Sequence, residues 1–265
     1  MSSVLPKDYF IDLEQFPNSD VSFVWEIIGS LDENLISLIH NSDLPEGEKL
    51  DMKGLQADDQ GVVSTGTFIS SKTFKISSLN ILIEEGVEIE PGVLIKGTCK
   101  LSKGCKIRHG AYLRETCLIG ENAVVGHVTE VKNSIFMSEA EAGHFAYVGD
   151  SILGSFSNLG AGTKLANLEF RTFEEKNLDL VTGEKYPKTI KIHSGGEELD
   201  TGLRKFGAII GDGVETGCNV VTSPGTLLGK GCWVAPNTNV KKGIYAERKL
   251  IRTRHNKTVE SDIRL

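Results

Sequence analysis

Residues 114–167 gather the side chains best suited to bind anions or move protons: Arg114, His127, Glu130, Lys132, His144, Tyr147, Asp150, Asn158 and Asn167. Arg114 and Lys132 are 18 residues apart. A guanidinium fork beside an ammonium point charge suits a phosphate. Glu130 and His144 have the composition of an oriented base, because a carboxylate that holds one imidazole nitrogen leaves the other free to accept a proton. A base beside an anion clamp can deprotonate a group that the clamp positions.

What brings such distant residues together is a repeat. Ile83, Ile89, Ile95, Leu101, Ile107, Leu113, Ile119, Val125, Val131 and Met137 are six apart, all aliphatic or methionine. A strand alternates every two residues and a helix repeats every 3.6, so a period of six fits neither alone and marks a hexapeptide β-helix. Small residues (Ala111, Cys117, Ala123, Thr129) follow four positions after Ile107, Leu113, Ile119 and Val125, as corners require. Three hexads close a triangular coil of about 18 residues, and coils stack at about 4.8 Å. Arg114 and Lys132 therefore share a face at neighbouring levels. The expected fold class is all-β, a left-handed parallel β-helix with a short N-terminal helix and a long loop insertion.

The beat slips after Met137. Gly143 falls on the grid, but the next inward positions, Val148 and Leu153, are five apart before Leu159 and Leu165 restore the six. His144 sits at this break, and a broken repeat on a regular scaffold is where a site is expected. The repeat stops over the Glu- and Lys-rich residues 168–207 and resumes at Ile210, Thr216, Thr222, Leu228, Val234 and Val240. The β-helix thus spans 79–245, with 168–207 inserted. Ahead of it, residues 1–50 hold an amphipathic segment, Ser22 to His40, with Val24, Ile27, Ile28, Leu31, Leu35, Leu38 and Ile39 on one face. This helix is expected to pack on an open end of the β-helix. Residues 51–78 read as a polar connector. Residues 246–265 form a tail in which Arg248, Lys249, Arg252, Arg254 and Lys257 make a local basic cluster.

Composition narrows the function. The chain is 39% hydrophobic and 25% charged, with a net charge of −7, and lacks the basic stripe that general nucleic-acid binding needs. Met1 to Gln15 has no basic region followed by an apolar run, and nowhere do 18 apolar residues adjoin. The expectation is a cytoplasmic protein that binds neither membrane nor nucleic acid. Five cysteines without a Cys-x-x-Cys pair fit a reducing compartment. Cys99 and Cys117, 18 apart, are expected to stack as small core residues.

The stretch from Ala111 to Asn167, with Tyr112-Leu113-Arg114, Gly126-His127-Val128-Thr129-Glu130-Val131-Lys132, Ala142-Gly143-His144-Phe145-Ala146-Tyr147-Val148-Gly149-Asp150 and Asn158-Leu159-Gly160-Ala161-Gly162-Thr163, resembles a known domain. It is the acetyltransferase domain of the bifunctional N-acetylglucosamine-1-phosphate uridyltransferase/glucosamine-1-phosphate N-acetyltransferase family. Thr201-Gly202-Leu203-Arg204-Lys205-Phe206-Gly207 with Ile209-Ile210-Gly211-Asp212 is similar to the same domain in sugar-phosphate nucleotidyltransferase-like relatives. The resemblance implies an acetyl-CoA-dependent N-acetyltransferase acting on an amino-sugar phosphate, glucosamine-1-phosphate first, in the UDP-N-acetylglucosamine pathway, with no metal required. It implies that Arg114 and Lys132 bind the sugar phosphate, that Tyr147 and Asn158 position the sugar, and that Lys205 or Lys176 adds a cation. His144 would be the general base oriented by Glu130, and Asn167 would help place the reacting groups. Ala161, Cys218 and Pro236 would line the acetyl-CoA groove, with Arg252 or Arg254 on its phosphates. Sites in the family form between neighbouring β-helices of a homotrimer. Cys218 stands where the family often has a serine, and Leu168 where it often has a tyrosine. No segment matches the family's uridyltransferase domain, so a separate uridyltransferase is expected in the pathway.

Three other readings fit parts of the pattern. One is a hexapeptide acyltransferase with another acceptor. Another is a metal protein resembling γ-type carbonic anhydrases that uses His109, His127 and His144, and the third is a non-catalytic scaffold that binds through 168–207.

Overall fold

In the computed structural model, which describes residues 4–47, 52–183, 188–254 and 257–262, the period of six becomes a β-solenoid of about 9 turns. Each turn lays a short strand on each of three faces. The first face stacks Leu94–Lys96, the opening halves of Tyr112–Ile119 and Glu130–Phe136, then Tyr147–Gly149, Lys164–Leu165, Val221–Thr222 and Asn239–Val240. The second stacks Ile81–Ile83, Cys99–Leu101, the closing halves of those two long strands, Ile152–Leu153, Ala208–Ile210, Thr226–Leu228 and Gly243–Tyr245. The third runs from Glu88–Ile89 through Lys106–Ile107, Val124–His127, Glu141–His144, Asn158–Leu159, Glu215–Thr216 and Trp233–Val234 to Lys249–Arg254.

The aliphatic grid fills the prism with one change of direction. Ile119 pairs with Phe136, and Phe136 enters the prism core while Met137 joins a second core outside it. The cause lies at the preceding corner. Glu115 and Thr116 together face the single residue Asn133, which turns the chain alone at φ 43°, a left-handed conformation that asparagine tolerates. The slip therefore comes before Met137, and Ala142 rather than Gly143 points inward, paired with Val125. The two turns that follow, Glu130 to Tyr147 and Tyr147 to Lys164, are 17 residues each, and the 18-residue turn returns after the insertion, as from Val221 to Asn239.

Cys99 and Cys117 are register partners, buried and unpaired, as the 18-residue spacing predicts. Burial pushes the Cys117 thiol up to about 12, above the ordinary thiol value of about 8.5. Its folded-state value is raised, so its contribution to stability is full below about pH 8.5 and is lost as pH rises towards 12. Urea titrations are expected to show a fall in unfolding free energy between pH 9 and 11 that is shallower in Cys117→Ser by about 1.4 kcal/mol per pH unit. An unchanged slope would show that this thiol does not titrate on unfolding.

The open N-terminal end is closed by the segment read as a connector. Gly61–Ser64, Phe68–Ile69 and Phe74–Ile76 lie antiparallel to Leu94–Lys96, Glu88–Ile89 and Ile81–Ile83, one on each side of the prism. The amphipathic segment does not cap this end. It forms α2 (Glu26–Gly29) and α3 (Leu31–Asn41), interrupted at Ser30, after a short α1 (Pro6–Tyr9). Val24, Trp25, Ile27, Ile28, Leu31 and Leu35 share the second core with Leu118, Ile135, Ile152, Ile209 and Leu227, the outward row of the second face. That apolar row is the reason the helices lie on a side.

The insertion is structured rather than a loop. It holds α4 (Phe173–Thr182) and an antiparallel hairpin, Lys191–Ser194 with Glu197–Asp200, and buries Ile190, Ile192 and Phe206 in the second core. The basic tail also folds: Lys249–Arg254 continues the third face and pairs with Lys257–Asp262. Among the described residues no helix is long and apolar enough to cross a membrane.

Candidate functional site

Strand alternation decides which side chains leave the prism. With Leu113, Val131 and Val148 inward, Arg114, Glu130, Lys132 and Tyr147 project from the first face. Arg114 and Lys132 are register partners at neighbouring levels. Both cations are already engaged. Arg114 Nε donates to Glu130 Oε1 at 2.6 Å, and its Nη1 lies 3.1 Å from Glu115 Oε1. Lys132 Nζ lies 2.8 Å from Glu115 Oε2 and 3.0 Å from Asp150 Oδ2.

Lys132 and Asp150 are each 3% exposed, so this pair sits largely out of water. Asp150 accepts two further bonds, from Asn133 Nδ2 at 2.9 Å and from Asn167 Nδ2. Burial alone would lower the lysine's pKa, but Asp150 and Glu115 outweigh it and hold the ammonium above its ordinary value. Arg114 is raised in the same way, burial being outweighed by Glu130. The Tyr147 phenol is pushed up by burial against the opposing pull of Lys132. Gly149 makes the arrangement possible. A Cβ there would stand 2.7 Å from both Tyr147 Oη and Asn167 Nδ2, so those side chains can cross the strand only above a glycine.

The histidines occupy a different feature, the edge between the third and first faces. There the carbonyls of His109, His127, His144, Ala161 and Cys218 accept from the backbone N–H groups of Val128, Phe145, Gly162, Asn219 and Asn237 on successive turns, at 2.8–3.1 Å. This ladder places His144, Ala161, Cys218 and Pro236 at one equivalent position on consecutive levels. The His109 and His127 rings stack at 5.5 Å, and each Nδ1 contacts a carbonyl of the turn before, Pro91 O at 2.6 Å and His109 O at 2.9 Å. His144 makes no such ring contact among the described residues and lies exposed beside Phe145, ring centroids 6.4 Å apart. The three histidines run along an edge instead of converging. Beneath them a Cβ on Gly126 would fall 1.8 Å from Gly143 O, a backbone approach only glycine permits.

Within the chain Glu130 and His144 are not hydrogen-bonded to each other among the described residues: Glu130 projects from the first face into Arg114, whereas His144 ends its strand at the edge. Asn158 stands on the third face, its Nδ2 donating to Glu215 Oε2 at 3.0 Å, across the edge from Tyr147. Asn167 lies at the root of the insertion, where its carbonyl accepts from Phe206 N at 3.0 Å. Lys205, with Glu115, Asn133 and Asp150, borders a cavity of about 780 Å3 between the insertion and α2. Lys176 is exposed on α4, away from that cavity. Arg252 is exposed on the strand beyond Trp233, and the Arg254 side chain lies outside the described residues. Glu115 and Asn133 were not among the residues singled out in the sequence. Their signal was available, since only one residue stands between Lys132 and Ser134 where Arg114 and Cys117 have two.

Several bifunctional proteins resemble this chain. It is 36% identical over 123 residues to the bifunctional sugar-1-phosphate nucleotidylyltransferase/acetyltransferase of Sulfurisphaera tokodaii, covering 46% of this chain and 27% of that protein. It is 38% identical over 122 residues to the bifunctional protein GlmU of Methanococcus vannielii, covering 46% and 26% respectively. The chain thus spans about a quarter of the length of these relatives. A solved structure, the polySia-specific acetyltransferase NeuO, aligns with 69% of this chain and 72% of its own at 14% identity and a TM-score of 0.33, too low to bear on function. The match to a family model is longer: residues 95–260 fit the GMPPB C-terminal domain, and the chain belongs to that family.

Proposed function

We propose that this chain is an acyltransferase that carries the acetyl group of acetyl-CoA to the amine of an amino-sugar phosphate, glucosamine-1-phosphate being the first acceptor to try. The observation that carries this reading is the edge on which His144, Ala161, Cys218 and Pro236 succeed one another, beside a first face bearing Arg114 and Tyr147. The partly matched relatives named for acetyl transfer support it. In this reading the acyl donor lies along the edge, with Arg252 or Arg254 on its phosphates. Arg114 takes the acceptor phosphate, Tyr147 and Asn158 hold the sugar, and Lys205 supplies the added cation. His144 removes a proton from the amine as nitrogen bonds to the thioester carbon, and the C–S bond then breaks to release coenzyme A. Asn167 acts through Asp150 and Lys132, as a positioning residue. Neighbouring copies complete the site in a homotrimer, and the transfer uses no metal.

Coenzyme A release measured over a panel of amino-sugar phosphates and free amino sugars tests the reading. Turnover restricted to phosphorylated acceptors supports it, and turnover with none of them overturns it. The network adds a second expectation. An incoming phosphate has to displace the half-exposed Glu115 from Arg114 and Lys132. Glu115→Gln is therefore expected to lower the acceptor KM by up to about fivefold, the scale of one exposed ion pair, and to leave the acetyl-CoA KM unchanged. A raised acceptor KM would show that Glu115 itself holds the sugar.

A further inference from the structure

A second groove follows the edge between the second and third faces, away from His144. Phe156, Gly213, Gly231 and Arg248 close successive turns there, at φ 58°, 65°, 64° and 56°. Backbone bonds from Gly213 N to Ser155 O, Gly231 N to Asp212 O and Arg248 N to Lys230 O set them on consecutive levels. Glycine takes this left-handed conformation freely, but a bulky side chain resists it. Phe156 nevertheless holds it, with its side chain 69% exposed. The fold gains no packed aromatic from that strain.

The groove runs from this ring to two cations. At about 4.8 Å per level, Lys230 lies about 10 Å and Arg248 about 14 Å along the edge from Phe156. The intervening turns are closed by glycines, and a Cβ on Gly213 would meet nothing within 4 Å. One wall is the N-terminal segment, pinned by Ile11 N donating to Asp212 Oδ2 at 2.7 Å. Ile11 itself is 81% exposed beside the groove. Together these residues enclose about 800 Å3, within the size range of small-ligand sites.

Lys230 and Arg248 stand together at one end, with Glu247 beside them and Asp212 near enough to Lys230 to feel its charge. Among the described residues the Arg248 guanidinium makes no hydrogen bond or ion pair. Lys230 Nζ, among the described residues, donates only to the neutral carbonyl of Lys7, at 3.0 Å. The carboxylates of Asp212 and Asp12 are engaged: Asp212 accepts from Ile11 N and Ser155 N, and Asp12 from Glu14 N and Gln15 Nε2. Glu247, exposed beside Arg248, is an acceptor for a sugar hydroxyl. An aromatic face, a bare floor and a pair of cations match a planar base, a pentose and a phosphate chain in that order.

We propose that this groove binds a nucleoside diphosphate, free or as the nucleotide half of a nucleotide sugar, with the base on Phe156 and Ile11 and the phosphates on Lys230 and Arg248. The site shares no residue with the acyl-transfer reading and stands without it.

Calorimetry on the full chain, with uridine and guanosine diphosphates, their nucleotide sugars, uridine and pyrophosphate as probes, tests the proposal. Saturable binding below millimolar is expected for the diphosphates. A nucleotide sugar that binds more tightly than its diphosphate assigns the groove to the sugar conjugate, and equal affinity assigns it to the free nucleotide. Phe156→Gly should weaken binding at least about fivefold, the lower end of a base–aromatic stack. Because glycine relieves the corner, this variant should melt no lower than wild type. Arg248→Ala should weaken the diphosphates at least about fivefold, as loss of a charge-assisted contact does, and leave uridine unchanged. Pyrophosphate binding as tightly as the nucleotides, affinity indifferent to both substitutions, or no binding at millimolar nucleotide would each overturn the proposal.

Discussion

His144→Ala is expected to lower kcat for acetyl transfer by about 10²–10⁴, the range of a lost general base, while the fold and acetyl-CoA binding survive. Survival of the fold follows from exposure. The His144 side chain is outside the prism core, and what the edge uses is its carbonyl, which accepts from Gly162 N at 2.9 Å whatever the side chain. Steady-state kinetics with circular dichroism and acetyl-CoA titration would check it, and a variant keeping more than about a third of wild-type kcat would leave this histidine without a catalytic role. Glu130 makes a sharper contrast than its sequence position suggests. Because it holds Arg114 at 2.6 Å and makes no hydrogen bond to His144 among the described residues, Glu130→Gln should shift the acceptor KM and leave the pH dependence of kcat as it is.

The largest expected effect on stability comes from the Lys132–Asp150 pair. Asp150→Ala removes the buried acceptor of Lys132, Asn133 and Asn167 at once. It strands an ammonium with only half-exposed Glu115 for company. Breaking a buried ion pair from one side costs about 3–5 kcal/mol, which urea denaturation would read directly. The double variant Lys132→Met, Asp150→Asn should recover most of that loss, because the amide oxygen still accepts from Asn133 and Asn167, asparagine tolerates the left-handed φ of 46° at this corner, and no buried charge remains. Equal losses in the single and double variants would mean that the site depends on packing rather than on charge.

How far the sequence alone reaches can be traced residue by residue. The six-residue beat located the inward row from Ile83 to Val131 and again from Ile210 to Val240, because one buried position per hexad is what a solenoid demands. It missed by one at Met137, since the deletion at Asn133 falls at a corner, where no hydrophobic position registers it. The helices were placed on an end because the outward apolar row of Leu118, Ile135, Ile152, Ile209 and Leu227 has a period of one turn, not six residues. The spacing of 18 did put Arg114 over Lys132. It could not show that carboxylates had taken both, since Glu115, Glu130 and Asp150 approach from a corner, a strand and the next turn. The shared edge of His144, Ala161, Cys218 and Pro236 needed the shortened turns and the insertion to be resolved first, because their sequence separations follow no constant interval.

A stack of parallel strands has two bare ends, each a template on which another stack could grow, and the two ends here are treated unequally. Antiparallel strands cover all three sides at the N-terminal end, whereas at the other end the hairpin of Lys249–Arg254 with Lys257–Asp262 covers the third side alone. Among the described residues, Asn239–Val240 and Gly243–Tyr245 close the first and second sides with no strand beyond them. Lys241 and Lys242 stand between those two strands, Lys242 paired with Glu169 at 2.7 Å, and charged residues at an exposed strand edge oppose end-to-end joining. Hydrogen bonding thus covers one end on all three sides, whereas on two sides of the other, among the described residues, charge beside the strand edge is what opposes joining.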